Sequence, residues 1–228
     1  MYPYASDIGS ILKQKGLCLL LIVWPRRSPV KIMCGLNPLD TIKNSGYINY
    51  MSHAAQQKFC KQIKELLPEY FYRKKVLDVG SLDINGNNNY LFTDCKITRM
   101  DIYKGSNVDF VSLTHKATFT DGYFDTIIST ECFEHDMYYD LSIKNILRML
   151  IPQGLFLFTC GGPGREEHGT ARMEPGTSPF TSQVDGWKNY YHNIDRMDIE
   201  RTLRPDSTFK LFGISEELTD MRFWGIKK

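Results

Sequence analysis

The chain has 228 residues, 42% of them hydrophobic and 24% charged, with 28 Lys+Arg against 26 Asp+Glu. These values exclude a disordered chain, which would be poorer in apolar residues or more unbalanced in charge, and its six cysteines are too few for a disulfide-framed secreted module of this length. The near-neutral total conceals a division, because residues 1–75 hold 12 basic and 4 acidic side chains and the remainder 16 and 22.

The first 51 residues read as a basic N-terminal extension. Their apolar run from Leu17 to Trp24 is far shorter than the roughly 20 residues of a membrane-spanning helix. It has a basic start but no small-x-small cleavage site after it, so a buried or peripheral apolar segment is expected rather than export. A further reading makes Met33 or Met51 the start and the leading segment upstream sequence. Cys18, Cys34, Cys60, Cys95, Cys132 and Cys160 contain no C-x-x-C pair, which argues against a zinc or redox pair and suits a cytoplasmic protein.

From Ser52, read as an N-cap, Ala55, Phe59, Ile63, Leu66 and Leu67 recur at helical spacing up to Pro68. Val76–Val79 follows as a short apolar strand closed by Gly80. Further strands are expected at 97–100, 108–111, 124–129, 155–159, 209–214 and 221–226, and helices at 141–150 and 196–203. Pro152-Gln153-Gly154 reads as a turn into the fifth strand. Short continuous apolar strands joined by helices or long connections predict an α/β domain over residues 52–228, its seven-stranded sheet mostly parallel and covered on both faces. The last two strands are too close in sequence for a parallel crossover, so an antiparallel C-terminal hairpin is expected.

In such a sheet ligands bind beyond the carboxyl ends of the strands. The first strand ends in Asp78-Val79-Gly80-Ser81 and a loop through Asp83, Asn85 and Gly86; the second ends in Asp101-Ile102; the fourth ends in Ser129-Thr130-Glu131, then Cys132-Phe133-Glu134-His135. A carboxylate at Asp101 is placed to accept from the two hydroxyls of an adenosine ribose. A dinucleotide would require G-x-G-x-x-G, which is missing, and an acidic loop residue, Asp83, disfavours a pyrophosphate. Gly161-Gly162-Pro163-Gly164 is followed by Arg165-Glu166, which is not a P-loop. An adenosyl ligand carrying a sulfonium and an ammonium fits better.

These residues together resemble the Rossmann-like, S-adenosylmethionine-dependent methyltransferases, in particular the small methyltransferase-domain proteins of bacterial, phage and environmental sequences. Val76–Ser81 resembles their first motif, Met100-Asp101-Ile102 the ribose-binding acid, Asn107–Val111 the third strand, Phe124–Ser129 with Phe133-Glu134-His135 the fourth-strand motif, and Leu150–Leu155 the turn into the fifth strand. One departure is Leu82, where the family usually has a second glycine; Gly86 comes later and the loop is longer. The resemblance implies S-adenosylmethionine as cofactor, contacted by Asp78, Gly80, Ser81, Asn85, Gly86, Asp101, Ile102 and Glu131. It also implies in-line transfer of the methyl to an N, O or C nucleophile.

His135 is a candidate base at the strand rim. His168 and Tyr190 are acceptor-side candidates in the long polar segment after the fifth strand, which has the length of a lid or binding loop. Glu131, Glu134 and His135 are read as groups that order the rim, and no metal is expected. Asp109 reads as an edge carboxylate. The methyl acceptor is left open between a small molecule and a macromolecule; nucleic acid has little support, since Lys58, Lys61 and Lys64 are dispersed along a helix. The alternatives are an NAD-dependent oxidoreductase and a non-catalytic nucleoside-binding module.

Overall fold

The computed structural model describes residues 48–228. The apolar run at 17–24, Cys18, Cys34 and Met33 lie outside the described residues. Helix α1 (Ile48–Leu66) is already formed at Ile48, so Ser52 stands inside it and is not its N-cap. Its apolar stripe of Phe59, Cys60 and Ile63 continues into Leu67 and packs on Val76, Ile128, Leu155, Leu157 and Trp224 of the sheet.

The strands are β1 (Lys75–Val79), β2 (Lys96–Asp101), β3 (Phe110–Val111), β4 (Phe124–Thr130), β5 (Leu150–Gly161), β6 (Phe209–Glu217) and β7 (Asp220–Lys227). They form one seven-stranded sheet in the order β3-β2-β1-β4-β5-β7-β6. β1 through β5 pair parallel, and β7 runs antiparallel to both β5 and β6. The expected mostly parallel sheet with a closing antiparallel hairpin is thus observed. Helices α2 (Tyr139–Met149) and α3 (Arg196–Leu203) follow β4 and β5, with a single turn α4 (Pro205–Thr208) before β6.

Strand alternation divides the core between the two faces. Along β5, Phe156, Phe158 and Cys160 join Ile143 and Ile146 of α2 and Ile199 and Leu203 of α3 in one cluster. Leu155 and Leu157, on the other face, join α1. The 16-residue connection from Gly80 to Cys95 contains one 3-10 turn, Asn89–Leu91, and no α-helix. Leu91, fully buried, drops from that turn into the cluster beneath α1. A helix that precedes β1 in sequence therefore covers a face that crossover helices usually cover in parallel sheets.

Three local expectations are corrected. The third strand is reduced to Phe110–Val111, because Asn107 adopts a left-handed backbone (φ 62°) and Asp109 turns outward to a two-pronged ion pair with Arg99 (2.6 and 3.0 Å). Pro152-Gln153-Gly154 is no turn between elements but lies within β5. Gln153 takes the left-handed conformation (φ 63°) there, and the β4–β5 register shifts between Phe124 and Thr126, as a bulge requires. Asp83 folds back on its own loop, accepting from Gly86 N (2.9 Å) and Asn87 Nδ2 (2.7 Å), and is not part of the cleft lining.

Helix α3 begins with a capping box: Asp195 accepts from Asp198 N (2.8 Å) while the Asp198 carboxylate accepts from Asp195 N (3.3 Å). Asp195→Ala is expected to cost about 1 kcal/mol of stability, read as a lowered urea midpoint with an unchanged slope. Among the described residues, no helix is long and apolar enough to cross a membrane.

Candidate functional site

The sheet order places β1 beside β4, where the winding reverses, and a cleft opens over the carboxyl ends of β1, β2 and β4. Asp78, Gly80, Ser81, Asn85, Gly86, Asp101, Ile102 and Glu131 all line it, as does His135. His168 and Tyr190 do not. His168 instead packs behind His135, ring centre to ring centre at 5.0 Å, and it is Tyr191, not Tyr190, that touches both imidazoles (5.5 and 5.0 Å).

Asp78, buried at the end of β1, accepts from Asn88 Nδ2 (3.0 Å), which also donates to Thr130 Oγ1 (3.1 Å). One amide thereby ties the first loop to β4. Burial pushes the Asp78 carboxyl up to about 7; the Asn88 bond opposes this, and the charge of Asp101 adds to it. Asp101 holds the loop by both oxygens, accepting from Leu82 N (3.0 Å) and Ile102 N (2.7 Å). Its pKa is also raised by burial, against those two backbone bonds. Two accepted bonds leave lone pairs on both oxygens for hydroxyl donors.

Gly80 is required by its backbone (φ +74°) and by space, since a Cβ there would meet Cys132 Cβ and Sγ at 2.7 Å. Gly80 N and Ser81 N both donate to Met100 O (2.9 and 3.2 Å), and Ser81 exchanges bonds with Asn107 (2.9 and 2.8 Å). Glu131 has a left-handed backbone (φ 51°) and accepts from Thr159 Oγ1 (2.8 Å), with Arg165 Nη2 at 3.4 Å. Burial raises its pKa, and the nearby Asp220 charge adds to the rise.

The cleft lining contains four carboxylates, Asp78, Asp101, Glu131 and Asp136, and among the described residues no Lys or Arg. A pyrophosphate would find no counter-charge here, whereas a ligand carrying positive charge would. This conclusion replaces the one drawn from Asp83 and rests on four other residues.

Several lining residues were not singled out from the sequence. Asn88 lay hidden in the Asn87-Asn88-Asn89 run, whose only signal was its polarity. Thr177, Ser178, Pro179, Phe180, Thr181 and Trp187 come from the long segment after β5, which carries two 3-10 turns (Pro175–Thr177 and Thr181–Gln183) and folds back over the cleft. Phe180 anchors it through an edge-on contact with Tyr103 (5.6 Å), beside Gly105.

Residues 73–158 match the family described as methyltransferase domain. Among solved structures, the chain is similar to the 1,6-didemethyltoxoflavin-N1-methyltransferase of Burkholderia thailandensis, solved with 1,6-didemethyltoxoflavin and S-adenosylhomocysteine. It is 13% identical to that protein, with a TM-score of 0.50 over 84% of this chain and 94% of that one. A second similar structure is the PH0226 protein of Pyrococcus horikoshii OT3, 14% identical, with a TM-score of 0.52 over 85% of this chain and 97% of that one. At these identities the likeness is one of fold. No curated protein matches the sequence. The family match spans β1 to most of β5 and with them the four carboxylates of the cleft, so this part of the chain is similar to a methyltransferase domain and is built on the fold those structures share.

Proposed function

We propose that the cleft holds S-adenosylmethionine, with Asp101 accepting from the ribose hydroxyls, Ile102 and Leu113 offering apolar contact to the base, and Asp78 together with the Gly80-Ser81 backbone receiving the methionine portion. The observation that carries this reading is the lining of four carboxylates without a cation, which suits an ammonium and a sulfonium. The fit is supported by the bare Gly80 backbone, which leaves room where any side chain would meet Cys132. When bound, the cofactor supplies an electrophilic methyl on a good, neutral leaving group.

The chain's own contribution is alignment and exclusion of water. The β5–α3 segment covers the cleft with Phe180 and Trp187, and Trp187 is itself braced by Tyr138 (5.7 Å). This enclosure favours a small acceptor or a narrow projecting group over a duplex. His135 is the lining imidazole nearest to the acceptor-side residues His168 and Tyr191. Residues 52–228 form the methyltransferase domain on this reading, and 1–51 a basic extension. The thiols of Cys60, Cys95, Cys132 and Cys160 are unpaired, which favours a reducing cytoplasm.

Calorimetric titration tests the reading: S-adenosylmethionine and S-adenosylhomocysteine should bind and NAD should not, and preference for NAD would overturn it. The titration should also depend on pH. A cationic ligand favours ionised Asp78, whose pKa is about 7 in the empty protein, so affinity should rise roughly tenfold between about pH 5.5 and 7. In the empty protein the sign is opposite for stability. Folded Asp78 keeps a proton that the unfolded chain has lost, so its contribution falls as pH rises from about 4 through 7. Asp78→Asn should flatten both profiles.

A further inference from the structure

Three enclosed side-chain atoms have no hydrogen-bond partner in one neighbourhood: Glu134 Oε2, His135 Nδ1 and Tyr191 Oη. A buried polar atom left unpaired is destabilising, so their convergence points to a ligand in this neighbourhood. Glu134 is fully buried and His135 is 4% exposed. One ligand atom from each of Glu134, His135 and half-buried His168 lies within 4.8 Å of the others. The group is closely packed against glycine backbone, since a Cβ at Gly169 (φ +64°) would meet His135 Cε1 at 2.6 Å and one at Gly161 would meet Tyr191 Oη at 2.8 Å.

The three side chains are oriented as ligands by their other atoms. Glu134 Oε1 accepts from Gly161 N (2.9 Å), which leaves Oε2 free. His168 Nδ1 lies 3.0 Å from the Glu166 carbonyl; donation there fixes the neutral tautomer and presents the Nε2 lone pair, the arrangement typical of metal-bound histidines.

We propose that Glu134, His135 and His168 form a three-ligand site for a first-row divalent cation of the zinc class, with a further coordination position toward the cleft that His135 lines. Two imidazoles and a carboxylate are a donor set that keeps such a position open, with bonds of about 2.0–2.2 Å. These bonds bring ligand atoms to roughly 3.4 Å from one another, so loading draws the trio inward by about an ångström. His168, carried by the segment between β5 and α3, is the member with room to move. If the cleft takes S-adenosylmethionine as proposed above, the open position receives the acceptor's hydroxyl or amine and lowers its pKa. That clause rests on the proposed function, whereas the ion site does not.

The test uses the full chain, stripped with a chelator and titrated with Zn2+ by calorimetry and with Co2+ by visible absorption. One ion per chain is expected, with Co2+ giving d–d bands. His168→Asn and Glu134→Gln should each weaken binding at least tenfold, while His192→Asn, whose ring pairs with Asp198 (3.0 Å), should bind as the unaltered chain does. Circular dichroism checks folding, and the half-buried His168 makes His168→Asn the variant most tolerant of change. Failure of the unaltered chain to bind either ion stoichiometrically, or equal affinity in folded His168→Asn, overturns the site. S-adenosylmethionine binding on the same samples separates the two readings: cofactor without ion rejects only the site, and ion without cofactor rejects only the cleft assignment.

Discussion

Asp101→Ala is expected to lower affinity for S-adenosylmethionine by about a hundredfold while leaving the sheet folded. Asp101 is half-buried at the end of β2, where its two oxygens accept from Leu82 N and Ile102 N at 3.0 and 2.7 Å. Removing it withdraws two acceptors from a ribose diol, each bond to a charged group contributing about 1.5–3 kcal/mol. A total near 3 kcal/mol is about a hundredfold in Kd. The same substitution frees two loop N–H groups, but these lie at the cleft, where water can replace the carboxylate. The core beneath, with Met100, Val79 and Leu77 fully or almost fully buried, loses nothing. Asp101→Asn keeps one acceptor and should fall between the two. Unchanged calorimetric affinity in a folded Asp101→Ala protein would remove the ribose assignment.

What could be read in the sequence was whatever depended on short-range pattern. β1 and β4 are mostly apolar because both faces of the sheet are covered, and their cleft-facing polar residues stand at the carboxyl ends. That is why the cleft-lining residues on those two strands were found by looking at strand ends alone. The third strand, by contrast, starts only at Phe110 because Asn107 and Asp109 before it serve the neighbouring loop and Arg99. β5 hides its first turn's worth of residues behind Pro152 and Gly154, punctuation that ordinarily ends a strand and here marks a bulge.

The harder part of the site lies in long-range placement. His168 is 33 positions beyond His135, in a segment without periodicity, and nothing local puts the two rings 5.0 Å apart. Tyr190 and Tyr191 differ only in which way they point, and successive side chains of an extended segment point to opposite sides. Choosing between them needs the register of the segment, which is set by Trp187, by the bond from His192 N to Glu134 O (2.9 Å) and by that from Ile194 N to Gly161 O (2.9 Å). Asp83 was visible as an acid but not as one already occupied by Gly86 and Asn87, because that depends on how the loop folds.

Gly80→Ala should damage both stability and cofactor binding, and the two losses have separable causes. The left-handed backbone at φ +74° costs a non-glycine residue about 1–2 kcal/mol. The added Cβ would also press on Cys132 Cβ and Sγ at 2.7 Å, and overpacking of this kind costs about 1–3 kcal/mol more. A loss near 3 kcal/mol should lower Tm by about 6–12 °C for a chain of this size. The contact is with a side chain rather than backbone, since Cys132 Cα stands 3.9 Å away, so Cys132→Gly in the same chain should recover the packing share and leave the backbone share. Cofactor affinity should recover less than stability does, because the Gly80-Ser81 peptide, held to Met100 O at 2.9 and 3.2 Å, must still accommodate an alanine's φ preference. Thermal melts and calorimetry on the four members of this cycle decide it: equal Tm for Gly80→Ala with and without Cys132→Gly would show that the Cys132 contact is not what the glycine is there to permit.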